Sequence, residues 1–186
     1  MRDIKVASRY AKSILDLSIE LNQLEEVYKD MIFISNTCKE SKDLSLLLKS
    51  PIIKADKKES ILKAVFGEKI GKITASFITI LTTKGRESLL AEIADYFIKL
   101  YKKHKNIETA QVISAIKLPD NIKNEIADLV KKHTNSDKVE LNEVIDKEII
   151  GGLILRLEDK QYDNSIIRKL NDLKAAFSDN LYIKEF

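Results

Sequence analysis

At 186 residues the chain has room for one domain or two small ones, and 44% hydrophobic against 33% charged residues is the balance of a soluble globular protein with a real core. Five Gly and two Pro leave little for a turn-rich β-sandwich and make long helices the expectation. The net charge of +3 divides into 20 Lys+Arg against 14 Asp+Glu in residues 1–105 and 12 against 15 in residues 106–186, too interspersed with acids for a nucleic-acid footprint, and the single Cys excludes a disulfide framework.

The opening "MRDIKVASRYAKSIL" is basic and amphipathic, similar to a transit peptide, but it carries Asp3 and leads directly into a helix, so it is read as mature structure. From Ile4, the positions Ala7, Ala11, Ile14, Leu15 and Leu21 recur at three- and four-residue steps. Leu24, Val27, Met31, Ile34 and Cys38 repeat the pattern in a second helix. A short third helix, "DLSLLLKSP", stops at Ser50-Pro51, because the residue before proline is pushed out of the helical region. "DKKESILKAVFG" offers Asp56 as N-cap and Gly67 as a stop. The fifth helix, "KITASFITILTTKGR", ends where Gly85 can take a left-handed cap, and "RESLLAEIADYFIKLYKKH" is the sixth. Short connections make neighbouring helices antiparallel, so residues 1–105 read as a six-helix bundle.

After "KKHKN" the period changes from helical to alternating. Ala110, Val112, Ser114, Ile116 and Leu118 share one face of a strand, Pro119 ends it, and "DNIKNEIADLVKKH" forms a helix with Ile122, Ile126 and Leu129 in register. A second strand places Val139, Leu141 and Val144 inward, and a third alternates Leu153, Leu155 and Leu157 with Ile154 and Arg156. A last helix carries Ile166, Ile167, Leu170, Leu173 and Phe177. The expected fold is therefore mostly α: a six-helix bundle followed by a small α/β domain in residues 106–186.

Few residues could carry chemistry. Cys38 sits on a helix face as a small apolar residue, and His104 and His133 each follow a Lys-Lys pair at a helix end, where cations favour the helix dipole; no metal set results. Gly151-Gly152 lacks the spacing of a phosphate loop or a dinucleotide turn and reads as strand entry, a bulge or close backbone approach. Asp163, Asn164 and Ser165 precede the last helix and read as its cap, Ser165 having no base to make it a nucleophile. No cofactor and no small-molecule substrate is expected.

"VIDKEIIGGLILRLEDKQYDNSIIRKL" resembles the C-terminal signature of the δ subunit of F-type ATP synthases, a family related to the mitochondrial oligomycin-sensitivity-conferring protein. The matching positions are Asp146, Gly151, Gly152, Asp163 and Ser165; Glu158 departs from the pattern by standing where the family commonly has glycine. Upstream, "ASRYAKSIL", Ser50-Pro51, "FITILTTKGR" with Gly85-Arg86, and "VISAIKL" resemble the family in the same order.

The resemblance implies a non-catalytic stator subunit, peripheral to the cytoplasmic side of a bacterial inner membrane. Its bundle would bind the N-terminal helix of the ATP synthase α subunit and its C-terminal part the b subunits, so that rotor torque drives ATP synthesis. By the same analogy a groove lies between the first and fifth helices, with Tyr10, Ser13 and Ile14 on one wall and Phe77, Ile80 and Lys84 on the other. Ile14 and Phe77 fit ordinary bundle core equally well, and Tyr10 and Ile80 carry the groove best. The alternative is a helical nucleic-acid-binding adaptor using the basic bundle.

Overall fold

The computed structural model describes residues 2–67, 69–134, 136–157 and 160–178. Glu158 therefore lies outside the described residues. The chain folds as two compact units, Met1–His104 and Lys105–Phe186.

The first unit contains α1 (Arg2–Glu20), α2 (Leu24–Glu40), α3 (Lys42–Lys49), α4 (Ala55–Phe66), α5 (Lys72–Thr83) and α6 (Leu90–His104), with a 3-10 turn at Glu87–Leu89. Alanines at 7 and 11 let α1 lie close against α6, whose other side packs on α2. Leu90, Ile93, Ala94 and Phe97 of α6 are enclosed, and Ile14, Val27, Met31, Ile34, Leu62, Phe66 and Leu81 on the other helices are buried as deeply. Each of the larger of these side chains stabilises the fold by about 1.5–3 kcal/mol through burial, and Ala94 by less. Leu21 falls past the end of α1 and is exposed.

Two helix ends differ from the sequence expectation. α4 begins at Ala55 with Lys54 as its N-cap, so Asp56 sits in the first turn, where its charge favours the helix dipole without capping. Gly67 closes α4 in a right-handed conformation (φ −54°), because its amide still bonds the Lys63 carbonyl at 2.8 Å and continues the helical ladder. Gly85 does take the left-handed cap (φ 64°). Arg86 N–H reaches the Leu81 carbonyl at 2.9 Å and Gly85 N–H the Thr82 carbonyl at 3.0 Å, the paired bonds of a Schellman ending.

A buried ion pair ties the bundle's far end together. Lys58 Nζ donates to Glu87 Oε1 at 2.7 Å and to the Leu48 carbonyl at 2.9 Å, linking α3, α4 and the turn before α6. Both charges are nearly dry, so each depends on the other for solvation.

The second unit contains β1 (Ile107–Ser114), α7 (Asp120–Thr134), β2 (Lys138–Ile145), a 3-10 turn at Lys147–Ile149, β3 (Leu153–Arg156), β4 (Gln161–Asp163) and α8 (Ile166–Ser178). Sheet order is β2-β1-β3-β4, with β1 and β2 parallel across the α7 connection and the other neighbours antiparallel. The three-residue β4 is too short to leave a periodic signal. α7 covers one face, where Ala110, Val112 and Leu155 meet Ile126 and Val130; Ile113, Ile149 and Ile154 pack on the other.

β1 stops at Ser114, whose hydroxyl bonds the Ile116 carbonyl at 2.7 Å, so Ile116 leaves the strand and is exposed. On β2 the inward series is Val139, Leu141 and Glu143, so strand alternation puts Val144 on the opposite face, exposed. Glu143 replaces it by accepting from the Leu118 amide at 2.6 Å and from Lys123 Nζ at 2.7 Å. The lysine bond, helped by that amide, holds the Glu143 carboxyl below its usual range.

Candidate functional site

Among the described residues no group of three or more His, Cys, Asp or Glu is placed to hold a metal, and no helix is long and apolar enough to cross a membrane. Cys38 is enclosed, and burial, with the Asp95 charge adding, pushes its thiol up to about 11. A neutral buried thiol is a poor nucleophile.

The glycine pair is occupied by the protein's own backbone. Gly152 (φ 78°) lies so close to Asn164 that a Cβ would run into its carbonyl oxygen, and the Gly151 carbonyl accepts the Ile166 amide at 3.0 Å. The pair is a seat for the start of α8, the close backbone approach that glycine there permits. Asp146 works nearby in the same way, its Oδ1 taking the Glu148 amide at 2.9 Å and so closing the 3-10 turn.

Asp163 and Ser165 complete that seat. Asp163 Oδ1 accepts from the Ser165 amide at 2.9 Å, and Ser165 Oγ, fully buried, accepts from the Arg168 amide at 3.3 Å. The Ser165 hydrogen bonds, then Arg168 and Arg156, hold the Asp163 carboxyl below its usual range. Ser165 is therefore an N-cap whose oxygen is already engaged.

Two apolar surfaces remain open. The first lies where α1 and α5 meet, marked by an edge-to-face contact of Tyr10 with Phe77 at 6.4 Å between ring centres. α1 is held by α6 and α2, while α5 is held by α4 and α2. Asp30 of α2 fixes the start of α5, its Oδ2 accepting from the Gly71 amide at 2.8 Å and Thr74 Oγ1 at 2.6 Å. A Cβ at Gly71 would displace the exposed Glu26 carboxylate, which it would meet at 2.6 Å, and would press on Asp30 Oδ2 at 3.3 Å.

On this surface Tyr10 and Phe77 are half-buried, Ser13 and Lys84 are exposed, and Ile80 is 52% exposed. Ile14 is 1% exposed, turned into the bundle, and has nothing to offer a partner. Helical spacing adds Val6 and Leu17 to the Tyr10 stripe and Ile73 to the Phe77 stripe. Leu17, 44% exposed, was detectable seven residues after Tyr10, but a sequence does not say which apolar stripe of a helix is left uncovered. Ser50, Pro51 and Arg86 shape the ends of α3 and α5 and lie outside this strip: Ser50 N–H bonds the Leu46 carbonyl at 3.0 Å as the chain turns extended into Pro51.

The second open surface is α8. Ile166, Ile167, Leu170, Leu173 and Phe177 all face outward, Leu173 at 55% and Phe177 at 87% exposure. A whole apolar stripe left in solvent marks an interaction surface. Neither surface contains a nucleophile, a base or a phosphate cradle; what they present is area.

Comparison with known proteins agrees with this description. The family model for the ATP synthase delta (OSCP) subunit matches residues 6–177. The ATP synthase subunit delta of Cytophaga hutchinsonii is 35% identical over 181 residues, 97% of this chain and 98% of that protein. That of Christiangramia forsetii is 39% identical over 185 residues, spanning 100% of both. A chain in the cryo-EM structure of the Toxoplasma gondii mitochondrial ATP synthase hexamer superposes with a TM-score of 0.71 at 25% identity, covering 92% of this chain and 96% of its own. Carried by sequence over nearly its whole length and by its fold, this chain belongs to the ATP synthase delta (OSCP) subunit family, the structural, non-catalytic part of the stator.

Proposed function

We propose that the chain acts as two domains, residues 1–105 and 106–186, each engaging a different part of the ATP synthase. The bundle takes the amphipathic N-terminal helix of an α subunit into the α1–α5 groove, and the C-terminal domain joins the b subunits of the peripheral stalk. The observation that carries the first half is the strip in which half-buried Tyr10 and Phe77 touch and Leu17 and Ile80 stand exposed beside them, on two helices that meet there. A helix laid in such a groove is read at positions three and four apart, which is the spacing of both walls. Ser13 and Lys84 supply polar contacts at its rim.

The stator must resist rotation without reacting, and contacts made of buried area do this. With each domain gripping one partner, torque from the rotor meets a fixed head and is turned to ATP synthesis. The place of action is the cytoplasmic face of a bacterial inner membrane, reached through the complex.

Calorimetric titration with a synthetic peptide of the N-terminal helix of the same organism's α subunit tests the groove. Saturable binding is expected, and Ile80→Asp should weaken it about tenfold or more, by placing a charge against the peptide's apolar face. A helical, cooperatively melting Ile80→Asp protein that binds as the wild type does would sink the groove assignment.

A further inference from the structure

We propose that Asp30 is a positioning residue of the α1–α5 groove: it latches the N-terminus of α5, a helix too weak to hold its own place, and so sets one wall for the incoming helix. This rests on the reading that the bundle receives an amphipathic helix in that groove.

α5 is poorly supported by its own sequence. Seven of its twelve residues are Ile or Thr, whose branched side chains lose rotamer freedom in a helix. Its N-cap is Gly71, which has no side chain to offer; its first turn contains no acid, and Lys72 there opposes the helix dipole. At the other end Thr82 and Thr83 turn their hydroxyls back onto the Thr79 carbonyl, each at 2.8 Å, a bond that bends and slightly weakens a helix. A helix this short and this composed is not stable alone.

What the N-terminus lacks comes from another helix. Asp30 of α2 is buried, and its Oδ2 takes both the Gly71 amide and the Thr74 hydroxyl. Two neutral donors and the positive end of α5 meet a carboxylate that is otherwise costly to bury. A Ser, Thr or Asp at position 71 could cap the helix locally at lower cost. Supplied from α2, the cap also fixes where α5 starts.

That placement shapes the groove. α5 meets α1 through the Tyr10–Phe77 edge contact, while α2 packs on both walls, so Asp30 joins the walls through α2. Ile73, Phe77 and Ile80 follow directly from the latched turn at steps of four and three. A wall held in register before the partner arrives spares part of the ordering cost of binding. Loss of global stability alone does not weaken binding while nearly all of the chain stays folded.

The test uses the full chain and the synthetic α-subunit peptide. Asp30→Ala is expected to bind about tenfold or more weakly in a folded protein, with faster amide exchange confined to the first turn of α5. Where that variant does not fold, Thr74→Val, which removes one of the two bonds at nearly the same shape, carries the test and should also weaken binding. Asp30→Ala/Gly71→Ser separates cap from tether. The Gly71 backbone (φ −68°, ψ 165°) suits a Ser N-cap, which restores the helix end with no tie to α2, and with Asp30 gone the exposed Glu26 carboxylate is what must move aside. Its melting temperature should recover towards wild type while its affinity stays low.

Wild-type affinity in Asp30→Ala, or in Thr74→Val where that is the folded one, would overturn the positioning role and leave the groove reading intact. Affinity regained along with stability in the double variant would overturn it as well, by showing that any cap serves. Failure of the wild-type chain to bind the peptide would overturn the groove reading and the proposal together.

Discussion

α6 and α8 carry the same kind of apolar repeat and meet opposite fates. α6 is enclosed between α1 and α2, with Leu90, Ile93, Ala94, Phe97 and Tyr101 buried. α8 is anchored at its N-terminus, by the Gly151 carbonyl, the Ser165 cap and the neighbouring 3-10 turn, and its whole apolar stripe is exposed. Periodicity declares that a helix has a face to bury; it does not say whether the chain itself or a partner will bury it. In a stator subunit the second answer is the useful one.

The contrast can be broken most directly in the core. Phe97→Ala should destabilise the protein by about 3–5 kcal/mol in urea unfolding, since it leaves a cavity in α6 where that helix is enclosed between α1 and α2. If the loss were below about 1 kcal/mol, α6 would not be the bundle's centre.

The Lys58–Glu87 pair probes the same unit by charge. Lys58→Met alone should cost about 3–5 kcal/mol, because it strands a buried carboxylate, while Lys58→Met with Glu87→Leu should recover most of the loss. Glu87 Oε2 already lacks a hydrogen-bond partner, so the pair is poorly compensated and suited to apolar replacement. A double variant no more stable than the single one would show that the ion pair organises the α3–α4 connection by itself.

In α8 the equivalent change should be nearly silent. Leu173→Ser is expected to shift stability by no more than about 0.5 kcal/mol, as for other exposed positions. A loss of several times that size would mean that α8 is covered by its own chain.

The smallest expected effect is in acid. Asp163 has its folded-state pKa depressed, so its contribution is present above the unfolded carboxylate value of about 3.9 and is lost as pH falls through the lower folded value. Asp163→Asn should therefore flatten stability against pH below about pH 4 and leave the neutral limb nearly unchanged. An unaltered acid limb would show that the depression is not coupled to folding.

Much of this protein is written in local pattern. Three- and four-residue spacing, Ser50-Pro51 and the left-handed Gly85 locate the helices of the first unit, and the switch to alternation after residue 106 locates the sheet. These features are legible because they depend on backbone sterics and on one element's own periodicity. The order of motifs from "ASRYAKSIL" to "DNS" likewise carries the family.

What only the tertiary structure decided is which faces meet. Ile14 is core while Leu17, one turn on, is open; Glu143 displaces Val144 as the inward residue of β2; Asp30 of α2 holds the start of α5. Each outcome depends on neighbours distant in sequence: α6 beside α1, Leu118 and Lys123 beside Glu143, Gly71 and Thr74 beside Asp30. A local repeat fixes the direction of a side chain relative to its own element, and long-range packing determines what lies in that direction.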